Sequence, residues 1–224
     1  MSIPRILHQS WKTTDIPDQW QIWSDTAKRL HPDWDYRLWT DEDNEALIRS
    51  KVPEFLERYL AYTKPIMRAD AVRYAYMYVH GGMYFDFDYE WVRPFDLQQH
   101  DVVLPISREE NSDGGLRVGN CVFASIPGHP WWRYALDTLA AETEETHPDV
   151  EEITGPKFLT RCWKQYSAEH PIEATSVHLA PRPQFHPPSP KSDSAYQRIL
   201  DRGEAYGIHH CTGVWRKRWW EVWK

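Results

Sequence analysis

Gly81-Gly82-Met83-Tyr84-Phe85-Asp86-Phe87-Asp88-Tyr89-Glu90 places two carboxylates one residue apart inside an aromatic run. Read as a single strand, it sends Tyr84, Asp86, Asp88 and Glu90 to one face and Met83, Phe85, Phe87 and Tyr89 to the other. The second face reads as core. The first sets Asp86 and Asp88 roughly 6–7 Å apart along the strand. That is near enough to converge on one hard cation, Mg2+ or Mn2+, which also accepts phosphate oxygens as ligands. The alternative is a half-exposed strand whose acids simply face water.

Upstream of this run, Pro65 opens a helical pattern that continues to Val79 and stops at Gly81-Gly82. Apolar and aromatic residues lie almost all round it, which predicts a buried helix. Asp70 and Arg73 fall at i, i+3 on one face of that helix. Buried charges are costly unless paired or used, so the two are either an internal ion pair or ligand contacts. The short glycine turn predicts that the end of the helix lies beside the Asp86/Asp88 strand. An arginine and a carboxylate next to two metal-binding carboxylates suit a sugar joined to a diphosphate, with directional hydrogen bonds to hydroxyls.

Further out, residues 5–11, 35–39, 102–106, 121–126 and 205–210 read as strands. Helices are predicted from Pro17 to about Leu30, from the capping-type start Thr40-Asp41-Glu42-Asp43, after Pro130, and over 155–166. Residues 109–119 read as a mobile loop that helps to choose an acceptor, and 181–190 as a proline-rich surface strap. Strands separated by helices indicate an α/β layered domain, here one domain over 1–224 with 215–224 as a basic, aromatic tail.

A net charge of −7 disfavours a nucleic-acid partner. The acids clustered over 142–152 read as a solvated helix end. No apolar run approaches the roughly 18–20 residues a membrane span needs, and the N-terminus lacks a signal-peptide pattern. A cytoplasmic protein is expected. Cys121, Cys162 and Cys211 form no disulfide framework and read as small packing residues in a reducing compartment. The 13 tryptophans are mostly explained by core packing, although sugar- and base-stacking surfaces also use them.

Several segments in order carry a family resemblance: Ile3-Pro4-Arg5-Ile6-Leu7-His8-Gln9-Ser10-Trp11, Arg68-Ala69-Asp70-Ala71-Val72-Arg73-Tyr74, the Gly81–Asp88 run, Gly119-Asn120-Cys121-Val122-Phe123-Ala124-Ser125, Thr154-Gly155-Pro156 and His209-His210-Cys211-Thr212-Gly213-Val214-Trp215. Together they resemble the DXD sugar transferases of glycosyltransferase family 32, which include initiating α-mannosyltransferases and inositolphosphoceramide mannosyltransferases, and more distantly the clostridial glucosylating toxins. The resemblance implies a GT-A-type, Rossmann-like nucleotide-sugar-binding fold with a mixed central sheet. It implies a UDP- or GDP-sugar donor, Mn2+ or Mg2+, transfer of a hexose with retention of configuration, and a glycan or lipid-linked acceptor.

By the same resemblance, Asp86 and Asp88 carry the catalytic metal, with Asp88 the direct ligand and Asp86 shared with the donor. His209 is the further metal or phosphate contact, with His210 as the alternative. Trp11 lines the donor base, or is a structural core residue. Asp70 and Arg73 hold sugar hydroxyls, and Asn120 faces a sugar or serves the turn after Gly119. Val214 departs from the family, which usually has Ser before Trp215. Eukaryotic members usually carry an N-terminal membrane anchor; none is expected here, which argues against a Golgi address. The tail, Trp215-Arg216-Lys217-Arg218-Trp219-Trp220-Glu221-Val222-Trp223-Lys224, suits either peripheral contact with an anionic membrane or packing back on the domain. Two other function classes fit less of the pattern: a metal-dependent phosphoryl-transfer or hydrolytic enzyme, and a non-catalytic carbohydrate-binding protein.

Overall fold

The computed structural model describes residues 2–109, 115–142 and 149–213. The basic tail, the middle of the 109–119 loop and most of the 142–152 acidic cluster lie outside the described residues.

The described chain begins with β1 (Ile6–Ser10), α1 (Asp18–Leu30), β2 (Asp35–Trp39), α2 (Asp41–Lys51), α3 (Leu56–Ala61) and α4 (Pro65–Val79). Next come β3 (Gly82–Phe85), β4 (Tyr89–Trp91), β5 (Val102–Glu109), β6 (Leu116–Val118) and β7 (Val122–Ser125). The last elements are α5 (Pro130–Ala141), α6 (Val150–Ile153), α7 (Pro156–Glu169), β8 (Val177–Ala180), α8 (Arg182–Phe185), α9 (Asp193–Arg202) and β9 (Gly207–His209).

The main sheet runs β2-β1-β3-β7-β5-β6, with β8 also paired to β5. It is mixed: β1 is parallel to β2 and β3, β7 is antiparallel to β3 and β5, and β8 is parallel to β5. Period-two alternation divides the core. Tyr84, Leu104 and Phe123 join one cluster with α4, α5 and α7, while Met83, Phe85, Val103, Val122 and Ala124 join a second with Ala27, Trp91 and Phe185.

Three features of the sequence position the site. Thr40 caps α2 through a reciprocal capping box with Asp43. Helix α4 is buried on nearly every side, Asp70 and Arg73 included. It then ends in two left-handed residues, Gly81 (φ 65°) and Gly82 (φ 84°). A Cβ at Gly81 would stand 2.6 Å from the Ser125 carbonyl oxygen, so only glycine fits this reversal into β3.

The continuous strand expected over residues 83–90 is broken. The Asp86 N–H donates to the Cys121 carbonyl (2.8 Å), which extends the β3–β7 ladder by one step, and the Tyr89 N–H then closes a turn on the Asp86 carbonyl (3.1 Å). Phe87 leaves the sheet for a separate cluster with Ile16 and Trp20. Beyond the turn, β4 belongs to a two-stranded sheet with β9, in which Tyr89 faces His209. The 181–190 strap is also more than surface. It contains α8, and Phe185 is buried in the second core cluster.

Candidate active site

Four segments meet where β3 ends. Helix α4 brings Asp70 and Arg73, the β3–β4 turn brings Asp86 and Asp88, residues 119–121 bring Asn120, and the end of β9 brings His209.

Arg73 is the hub. Its Nη2 lies 3.0 Å from Asp70 Oδ1 and its Nη1 lies 3.1 Å from Asp86 Oδ1. Nη1 also donates to the Asn120 carbonyl (2.6 Å), and Nε to that of Ala69 (3.2 Å). The guanidinium sits over the Tyr84 ring, 4.7 Å from its centroid. Every branch of Arg73 thus serves a protein acceptor, and of the two readings of the Asp70/Arg73 pair the structure shows the internal ion pair. Asn120 Nδ2 donates to Asp70 Oδ1 (3.1 Å), while Thr154 Oγ1 stands 3.4 Å from Asp70 Oδ2.

The DXD acids differ in surroundings. Asp86 accepts from the Tyr84 hydroxyl (2.6 Å) and leaves 25% of its side chain exposed. Asp88 accepts from the Thr212 backbone N–H (2.9 Å) and hydroxyl (2.8 Å) at Oδ2, and from His209 Nε2 (3.1 Å) at Oδ1.

Electrostatics follow those partners. Burial pushes Asp70 up to about 7 against the pull of Arg73, with the Asp86 charge adding to the rise. Burial also raises Asp86; Arg73 opposes the shift and Asp88 reinforces it. For Asp88, burial is outweighed by the His209 and Thr212 hydrogen bonds, and its pKa falls to about 2. Burial lowers the His209 imidazole, but Cys121 and Asp88 more than offset it and hold its pKa well above 6.5.

Ligand atoms of Asp86, Asp88 and His209 all lie within 4.8 Å of one another. Two carboxylates and an imidazole form a donor set that fits Mn2+, and the carboxylates alone suit Mg2+. His210 is turned elsewhere: it pairs with Glu90 (2.9 Å) and stacks on Trp23 at 4.3 Å. Trp11 packs edge-on against Phe87 of the turn (5.4 Å), beside Trp20. It is half-buried, and its Nε1 has no hydrogen-bond partner among the described residues.

Residues 17–108 match the family described as "Glycosyltransferase sugar-binding region containing DXD motif", a span that holds Asp70, Arg73, Asp86 and Asp88. This chain carries the sugar-binding region of the DXD glycosyltransferases. Over 167 residues it is 37% identical to the mannosyl phosphorylinositol ceramide synthase CSH1 of Saccharomyces cerevisiae, covering 73% of this chain and 43% of that protein. Over 168 residues it is 36% identical to inositol phosphoceramide mannosyltransferase 3 of Schizosaccharomyces pombe, covering 74% of this chain and 46% of that one. The chain therefore spans less than half the length of these relatives. The solved structure titled "PaToxG Glycosyltransferase" superposes with a TM-score of 0.60 at 15% identity, covering 92% of this chain and 89% of the other. The fold of this chain is GT-A-type.

Sequence reasoning missed three neighbours of the site. Thr212 stood in a quoted motif but had no assigned role. Cys121 looked like a small packing residue, and His186 lay inside a strap read as surface. Yet Cys121 Sγ lies 3.0 Å from His186 Nε2, directly behind the DXD turn.

Proposed function

We propose that this chain is a metal-dependent, retaining glycosyltransferase that moves a hexose from a nucleoside diphosphate sugar to a glycan or glycolipid acceptor. The observation that carries the reading is the convergence of Asp86, Asp88 and His209 from a turn and a distant C-terminal strand, beside the Asp70–Arg73–Asn120 network. Mannose is the first sugar to test, and an inositol phosphoceramide-type lipid the first acceptor, because the named relatives act as mannosyl phosphorylinositol ceramide synthases and inositol phosphoceramide mannosyltransferases.

In this reading Asp86, Asp88 and His209 hold Mn2+, or Mg2+ as the alternative. The ion's contribution is Lewis-acid neutralisation of the charge that develops on the departing diphosphate. Thr212 and His209 keep Asp88 ionised and aimed. Tyr84 and Arg73 fix the rotamer of Asp86, whose free oxygen is left for donor and metal. Asp70 and Asn120 meet sugar hydroxyls, and Arg73 serves the donor chiefly by holding these acids in place. Trp11 offers an aromatic wall for the nucleotide base. Among the described residues no helix is long and apolar enough to cross a membrane, so a lipid-linked acceptor would be met from the surface, with the Trp/Lys/Arg tail as the contact.

The test is nucleotide release from a panel of GDP- and UDP-sugars with Mn2+, with and without acceptor. Turnover of one donor that needs metal supports the reading. No turnover, together with no binding of GDP or UDP, overturns it. Co-sedimentation with anionic vesicles, comparing the full chain with one ending at residue 214, tests the tail; equal partitioning removes the membrane contact.

A further inference from the structure

Behind the DXD turn lies a second cluster of potential metal ligands. Cys121, His186 and His209 each present a ligand atom, and these atoms lie within 4.8 Å of one another. They come from three separate segments: the residue before β7, the strap after α8, and β9. Cys121 is buried and both histidines are half-buried. The Cys121 Sγ to His186 Nε2 separation is 3.0 Å, and the rings of His186 and His209 meet edge to face at 5.3 Å. Gly119 makes room for this approach: a Cβ there would stand 3.0 Å from His186 Nε2 and 3.2 Å from His186 Cδ2. Packing alone asks for none of this, since an apolar side chain fills such a space without desolvating an imidazole.

The chemistry of the cluster differs from that of its neighbour. Asp86, Asp88 and His209 present mainly hard oxygen donors, which suit Mn2+. A thiolate and two imidazoles form a three-ligand set of the kind that holds Zn2+ with a fourth position open to water. His209 belongs to both sets.

We infer that Cys121, His186 and His209 form a Zn2+ site that competes with the DXD carboxylates for His209, so that Zn2+ bound there opposes Mn2+ binding. The cell's soft-metal supply would then set how much of the enzyme can load its working ion. The inference rests on the proposed DXD metal set only for the antagonism; the Zn2+ site itself stands without it.

The experiment uses the full chain, stripped with a chelator and titrated with Co2+ as a spectroscopic stand-in for Zn2+. The expected result is a near-ultraviolet thiolate-to-Co2+ charge-transfer band that Zn2+ abolishes at one equivalent. The band should be lost in Cys121→Ser, be weakened in His186→Gln, and persist in Asp88→Asn. Mn2+ binding, followed by electron paramagnetic resonance, should weaken at least about tenfold when one equivalent of Zn2+ is added to the wild type and weaken clearly less in Cys121→Ser, where Zn2+ acts only by direct exchange at the DXD carboxylates. Absence of the band in the wild type, or its survival in Cys121→Ser, overturns the Zn2+ site; His186→Gln provides the same reading if the serine variant fails to fold. A band without any effect on Mn2+ binding overturns the antagonism. Failure of nucleotide-sugar turnover would leave the band unchanged, so the two readings fail separately.

Discussion

Thr212 donates twice to Asp88, from its backbone N–H and from its hydroxyl, across 124 positions of sequence. The second acid of the DXD turn is therefore aimed by the C-terminal segment and not by its own strand. Thr212→Val removes the hydroxyl bond and keeps the backbone one. A hydrogen bond to a charged group contributes about 1.5–3 kcal/mol to stability, so the melting temperature should fall by several degrees, and metal-dependent turnover measured where the variant is still folded should fall as well, because Asp88 is less firmly aimed. Asp88→Asn keeps an acceptor for both donors but loses the charge; turnover should vanish while the melting transition persists. Activity assays over a Mn2+ titration, with thermal melts alongside, check both variants.

The elements that sequence alone delivered are those with a local cause. Residues 35–39 alternate, Thr40 supplies a capping box, and Pro65 and Gly81 bracket α4; β2, α2 and α4 all form there. The break at Asp86 was not legible, because Met83, Phe85, Phe87 and Tyr89 keep strand periodicity straight through it. What breaks the strand comes after its last ladder bond and is tertiary: the Tyr89 N–H turns back on the Asp86 carbonyl, and Phe87 finds a different cluster. Helix α9 did carry local signals, Ser192 at its N-cap and Gly203 (φ 64°) at its C-cap, and these were overlooked. For the site, Asp70, Arg73, Asp86 and Asp88 lie within 19 residues of one another and could be read together. His186 could not, because nothing near it in sequence points to Cys121.

Arg73 neutralises two acids at once from a position that is only 5% exposed. Arg73→Met leaves Asp70 buried without its cation and frees Asp86 from its rotamer. Breaking a buried pair on one side costs about 3–5 kcal/mol, and urea denaturation should show a loss of that order. Arg73→Lys should recover part of the stability but less of the activity, since an ammonium cannot fork between both acids and the Asn120 carbonyl.

Asp70 gives the site a pH signature. Its carboxyl titrates at about 7 when folded and near its ordinary 3.8 when unfolded. Between those values the folded state binds the extra proton, so this group's contribution to stability declines as pH rises from about 4 to about 7. Asp70→Asn removes the titration. Denaturation of both proteins across that window should show the wild type losing stability relative to the variant as pH increases; a constant or opposite difference means that Asp70 is ionised throughout.

Gly207 tests whether the small β4–β9 sheet is what delivers His209. It pairs with Trp91, two positions before His209 meets Tyr89. A Cβ at Gly207 would lie 2.3 Å from Tyr89 Cε1 and 2.7 Å from the Glu90 carbonyl oxygen. Tyr89 is buried and its hydroxyl donates to the Phe185 carbonyl, so the ring has little room to yield. Gly207→Ala should therefore displace β9 rather than the ring, at about 1–3 kcal/mol for overpacking. The displacement carries His209 and Thr212 away from Asp88, so Mn2+ affinity should fall further than stability alone explains. Metal titration at a temperature where the variant remains folded separates the two effects, and unchanged Mn2+ affinity there would mean that β9 does not set the position of His209.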